Sequence, residues 1–147
     1  MRNQGYQNYF DDEVLESNPL KLVELLYRGA LDSIAAAKRY LRLGDIGARS
    51  RAIGKAMAIV TELSLSLNHQ EGGELSRNLA DLYGYIERLL IRANIEQCEP
   101  PLAEAEKLLS TLLQGWIHVT ENQPAASPHA RESMTANEIR QSVSCAY

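Results

Sequence analysis

Three histidines, two cysteines and one pair of adjacent glycines are the residues of this chain with the most obvious chemical potential, and their spacing decides what they can do. A helical bundle that holds a di-iron centre needs Glu-x-x-His pairs aimed inward. The residues three before His69, His118 and His129 are Ser66, Gly115 and Ala126, so that ligand set is missing. His69 stands in a polar stretch beside Gln70 and Glu71, a poor setting for phosphotransfer, and His118 reads as a helix-boundary residue. Cys98 and Cys145 have neither C-x-x-C spacing nor a Cys/His cluster, which implies no disulfide framework and no zinc site. Glu99 beside Cys98 raises the thiol pKa instead of activating it. Gly72-Gly73 lacks the Lys-Ser/Thr that completes a phosphate loop, and no G-x-S-x-G elbow occurs. The expectation is a non-enzymatic protein with no catalytic residue, no metal and no cofactor.

Composition narrows the partners. The formal charge of -4, with basic residues scattered among acids, disfavours nucleic acid, because phosphate binding needs clustered Lys and Arg. Arg49, Arg51 and Lys55 form the densest basic group and read as a solvated helix face. The first ten residues contain no apolar signal region, and no apolar run approaches the roughly 18 residues of a membrane span, so the expectation is a cytosolic protein without membrane insertion. Hydrophobic content of 45% and charged content of 23% are ordinary for one globular domain. Seven tyrosines stand against one phenylalanine and one tryptophan, and tyrosine suits surfaces that are sometimes wet and sometimes covered.

Periodicity supplies the frame. Asn18-Pro19 is a helix start, and Val23, Tyr27, Ala30, Ile34, Ala37 and Leu41 recur at helical steps up to Gly44, a candidate left-handed cap. A second helix runs from about Ile46 to Leu67, with Ile46, Ile53, Ala56, Val60, Leu63 and Leu67 on one face. Within it Leu63-Ser64-Leu65-Ser66-Leu67 alternates like a strand, but the upstream period is helical, so Leu65 faces away from the seam. The paired glycines read as the turn of a hairpin, and a third helix comes after them with a stripe at Leu75, Leu79, Leu82, Ile86, Leu89 and Ala93. Pro100-Pro101 opens a fourth helix, with Leu102, Ala105, Leu109, Leu112, Trp116 and Val119 in line. The resulting expectation is an all-α, antiparallel up-down-up-down four-helix bundle over residues 17–122. A short N-terminal arm (1–16) precedes it and a polar tail (123–147) succeeds it, read as disordered, with a weak stripe at Met134, Ile139 and Val143 leaving a docking segment as the alternative.

This arrangement leaves apolar residues over. Leu65, Tyr83, Tyr85, Leu90 and Ile91 lie off the assigned stripes of helices two and three, more than a two-sided seam needs. An over-wide apolar face is suited to receiving an amphipathic helix, which points to a binding module. Tyr6, Tyr9 and Phe10 share a face if the arm coils, so the arm is either a disordered leader or a flap laid over a groove. A second copy of the chain packed on the same strip, giving a structural homodimer or adaptor, is the other reading.

The order Tyr6-x-x-Tyr9, Leu25-Leu26-Tyr27-x-Gly29-Ala30, Glu62-Leu63 to Leu67-Asn68, Gly72-Gly73-Glu74-Leu75, Leu82-Tyr83-x-Tyr85, Arg88-Leu89, Ala93-Asn94 and Trp116 resembles the flagellar secretion chaperone family FliS. The resemblance implies a cytoplasmic export chaperone that binds the disordered C-terminal segment of flagellin. Such a chaperone prevents premature polymerisation and keeps the client competent for type III secretion. It also implies contacts with the export gate and other flagellar regulators. On this view Leu65, Asn68, Tyr83, Tyr85 and Leu90 line the client groove, and Tyr6, Tyr9 and Phe10 form its lid. Arg28, where the family commonly carries an acid, Glu16, where it carries a threonine, and the long tail after Pro124 are departures from the pattern.

Overall fold

A computed structural model describes residues 18–122, so the arm aromatics Tyr6, Tyr9 and Phe10 and the whole tail lie outside the described residues. The helices are α1 (Pro19–Leu43), α2 (Ile46–Leu65), α3 (His69–Glu96) and α4 (Pro100–Glu121). α1 and α3 each pack on both α2 and α4, which closes the antiparallel four-helix ring expected from the periodicity. The α1–α2 turn and the α3–α4 loop share what we term the upper end. The start of α1, the α2–α3 turn and the end of α4 share the lower end.

Local chemistry explains most boundaries. The Asn18 side chain accepts the Lys21 amide at 3.3 Å, and Pro19 occupies the first position, where its missing N–H costs nothing. Gly44, at φ 72°, ends α1 as its N–H bonds to the Leu41 carbonyl, while the Asp45 N–H reaches back to Tyr40 at 3.0 Å. Asp45 then caps α2 through its side chain, accepting the Ala48 amide at 3.1 Å. α4 begins without a side-chain cap, because two prolines remove donors that a cap would otherwise satisfy.

The α2–α3 turn departs from expectation. α2 stops at Leu65, the turn occupies residues 66–68, and Asn68 caps α3 by accepting the Gln70 and Glu71 amides at 3.2 and 3.3 Å. The paired glycines therefore lie inside α3, where Gly73, at φ 52° and ψ -129°, breaks the helical path. An L side chain is strained in that conformation, which gives the glycine its reason.

Packing widens the stripe of α3. Leu79, Ile86, Leu89 and Ala93 face inward as expected and Leu82 packs half-buried against the core, but Leu75 is exposed, and the neighbouring row Ser76, Tyr83 and Leu90 is completely buried. Tyr83 is tolerated there because its hydroxyl meets that of Tyr27 at 2.5 Å across the core. Arg49 is the second correction. Instead of belonging to a solvated face it is 4% exposed, with Nε 3.3 Å from Asn94 Oδ1, Nη1 3.3 Å from Gln97 Oε1 and Nη2 3.4 Å from the Asn94 carbonyl. Its cation sits at the C-terminal end of α3, where unpaired carbonyls favour positive charge.

Candidate functional site

Among the described residues no group of three His, Cys, Asp or Glu side chains is placed to hold a metal ion. Cys98 is half-buried, and that burial together with the Glu96 carboxylate 3.6 Å from Sγ pushes its thiol pKa up. The direction agrees with the sequence argument, although the carboxylate is Glu96 and not Glu99. His69 Nδ1 lies 3.2 Å from Ser76 Oγ and His118 pairs with Asn122, so both rings have local structural partners. No helix among the described residues is long and apolar enough to cross a membrane. A shallow groove of 590 Å³ between α1 and α4, lined by Leu31, Ala35 and Ala103 with Asp32, Glu106 and Lys107, is rimmed by charge and contains none of the exposed large apolar side chains of the described residues.

The candidate site is therefore an apolar surface. Among the described residues, six of the nine exposed large apolar side chains belong to the α2–α3 hairpin: Ile46 and Leu65 on α2, and Leu75, Tyr85, Ile91 and Ile95 on α3. Helical spacing places them on different sides of it. Ile91 and Ile95 lie beyond Gly84 along the outward face of α3, and on α2 Gly54, Ala58 and Leu65 line the matching outward face. A Cβ built on Gly54 meets nothing within 4 Å, and one on Gly84 meets only the tip of Arg88. Intrachain packing thus gives no reason for either glycine, although each costs helix stability of about 1 kcal/mol relative to alanine. Thr61 Oγ1 bonds to Glu87 Oε1 at 3.2 Å and ties the two helices together beneath this face.

The five groove residues expected from the sequence are not brought together. Tyr83 and Leu90 are completely buried, so the expectation that they display spare apolar surface is corrected: they are the core row of α3. Asn68 is exposed at the lower turn and has a structural task as the α3 cap. Leu65, 73% exposed, faces away from the seam as its register requires. Tyr85 lies on the opposite flank of α3, where its hydroxyl donates to Glu104 of α4 and its ring sits 5.9 Å below the Arg88 guanidinium. The bond to Glu104 raises the Tyr85 pKa. Ile91, already among the spare apolar residues, is missing from that groove set and Ile95 from both, and their i, i+4 spacing on the outward face is the signal that could have joined them. Arg28, one of the departures, is engaged within the chain: its Nε lies 3.3 Å from Glu24, whose pKa is held down chiefly by the bond to Lys21 and further by Arg28.

Comparison with known proteins adds identity to this geometry. Residues 1–123 match the family model described as flagellar protein FliS. The chain is 34% identical over 124 residues to the flagellar secretion chaperone FliS of Campylobacter jejuni, covering 84% of this chain and 97% of that protein. It is 32% identical over 111 residues to the Salmonella typhimurium FliS, covering 75% and 82% of the two chains. The flagellar secretion chaperone FliSB of Pseudomonas aeruginosa is 34% identical over 113 residues, covering 77% and 90%. A four-helix bundle matched across its whole helical part, with three relatives at 32–34% identity, leads to one conclusion: the chain belongs to the FliS family of flagellar secretion chaperones.

Proposed function

We propose that this protein is a cytoplasmic, non-enzymatic export chaperone that holds the C-terminal segment of flagellin. Bound to it, the client is unable to polymerise and remains ready for flagellar type III secretion. The observation that carries the reading is the family match over residues 1–123. The outward α2–α3 face, with Leu65, Ile91 and Ile95 exposed and glycines between them, is the surface we assign to a client helix, and Tyr85 is the contact on the adjoining flank. Ordering a disordered client costs about 2–5 kcal/mol. At roughly 25 cal/mol per Å² that takes on the order of 80–200 Å² of apolar contact to offset, well within what one amphipathic helix buries. The arm, through Tyr6, Tyr9 and Phe10, is the lid of this surface and lowers apparent affinity by the fraction of time it is closed. The loaded chaperone then meets the export gate and other flagellar regulators.

Calorimetric titration with the C-terminal segment of the same organism's flagellin tests the reading. Heat, helix gain by circular dichroism and at least tenfold weaker binding by Ile91→Lys are expected. No heat and no helix gain would sink it. A chain that sediments as a dimer, and stays dimeric when the segment is added, would favour the competing view that the face is a seam between two copies.

A further inference from the structure

The seam between α3 and α4 is covered at its upper end and open at its lower end. On α3 the row Leu89, Leu82, Leu75 passes from 2% exposed, through half-buried, to 44% exposed. The row of α4 that faces α3 behaves alike: Pro101 is buried, Leu108 and Leu112 are half-buried, and Val119 is 45% exposed. A Cβ built on Gly115, one turn above Val119, meets nothing within 4 Å, so there is room beside that strip. At this height α4 leans on α1, where Trp116 Nε1 donates to the Leu20 carbonyl at 3.0 Å.

The chain leaves the bundle at this same place. α4 ends at Glu121, two residues past Val119, and the family match stops at residue 123, so the family does not account for residues 124–147. Residues 134–147 contain their own helix-start signature. Thr135 and Glu138 have capping-box spacing, and Met134 and Ile139 occupy the two positions of a hydrophobic staple. Ala136, Ile139, Val143 and Ala146 then recur at steps of three, four and three, which is one apolar stripe. A helix over 136–147 is about 18 Å long, and the open part of the seam from Val119 to Leu108 is about 16 Å. The intervening residues 123–134 span up to about 40 Å when extended, ample to turn back along α4.

We propose that residues 134–147 dock into the lower half of the α3–α4 seam of their own chain as an amphipathic helix, with Ile139 and Val143 against Leu75, Leu82, Leu112 and Val119. The inference is independent of which client the chaperone carries. Tethering by so short a linker gives an effective concentration of about 1 mM, so a weak contact is enough for substantial occupancy.

Cys145 lies within the docking segment and provides the probe. In the full chain with Cys98→Ser, a nitroxide on Cys145 is expected to cut amide signal intensity for residues 75–82 and 108–119, and Ile139→Asp with Val143→Asp restores it. Both aspartates lie outside the four helices, so the bundle folds in either case. Intensity loss confined to the residues next to Asn122, or falling on α2, overturns the proposal. Equal loss in a mixture of isotope-labelled and spin-labelled chains also overturns it, because the occupant is then a second copy.

Discussion

The two ends of the bundle are built on different principles. At the upper end polar groups are engaged between helices. Arg49 holds the end of α3 through Asn94 and Gln97, and Ser50 Oγ adds a bond to Asn94 Oδ1 at 3.1 Å. Arg42 meets Glu99 at 2.9 Å, and Lys38 lies 3.7 Å from Glu99 and 3.4 Å from Glu106. Pro100 and Pro101 stiffen the entry to α4 there. At the lower end α3 begins with a glycine kink, and Leu65, Leu75 and Val119 remain exposed. Along the α3–α4 seam the helices are thus closed at one end and open at the other, whereas the outward surface stays apolar at the upper end too, where Leu43, Ile46, Ile91 and Ile95 are exposed. Within that seam stability is concentrated where the helices are tied, and free apolar surface where they are not.

One substitution repeated along α3 measures that gradient. Leu89→Ala at the closed end is expected to cost about 2–5 kcal/mol in urea unfolding, the range for a buried leucine. Leu82→Ala should fall between, and Leu75→Ala at the open end should cost less than about 1 kcal/mol. Equal costs at the three positions would break the comparison. Gly73→Ala is the next largest effect: a residue forced to positive φ should destabilise by about 1–2 kcal/mol and shift the first turn of α3, read by urea midpoint and by amide shifts of residues 69–76. An alanine that stabilises α3 would mean that the kink is not needed.

The smallest effect is acid sensitivity of the upper end. The Glu99 pKa lies below its ordinary 4.5, first because of the bond to Arg42 and then the charge of that group and of Lys38. A lowered carboxylate pKa stabilises the fold above pH 4.5, and the contribution is lost as pH falls through the folded value. Glu99→Gln should therefore shrink the drop in thermal midpoint between pH 7 and pH 3.5. The change should be small, because this pair is exposed and screened by salt.

Much of the scaffold is legible in the residues. Asn18, Pro19, Gly44, Asp45 and Pro100 announce helix ends through local chemistry that needs no tertiary partner. The features that sequence misplaces arise from competition between nearly equal local signals. Leu75, Leu82 and Leu89 make a more apolar row than Ser76, Tyr83 and Leu90, and both rows share Leu79, Ile86 and Ala93. Burial of the second row depends on a hydroxyl supplied to Tyr83 by Tyr27, on another helix. Arg49 looks like surface because an arginine is seldom buried, and only the end of α3 provides the oxygens that make burial tolerable. The glycine pair looks like the turn, but Asn68, four residues before Gly72, takes the capping position first.

Sequence by itself determined the all-α class, the number and order of helices, most of their ends and the family. Those depend on periodicity, caps and motif order, which are properties of neighbouring residues. Tertiary structure alone decided that Ser76, Tyr83 and Leu90 of α3 enter the core while Leu75 stays outside it, that Arg49 is internal, and that the α3–α4 seam opens downward. Each of these depends on atoms contributed by a second helix, and burial is a property of the assembled bundle that no single stripe encodes.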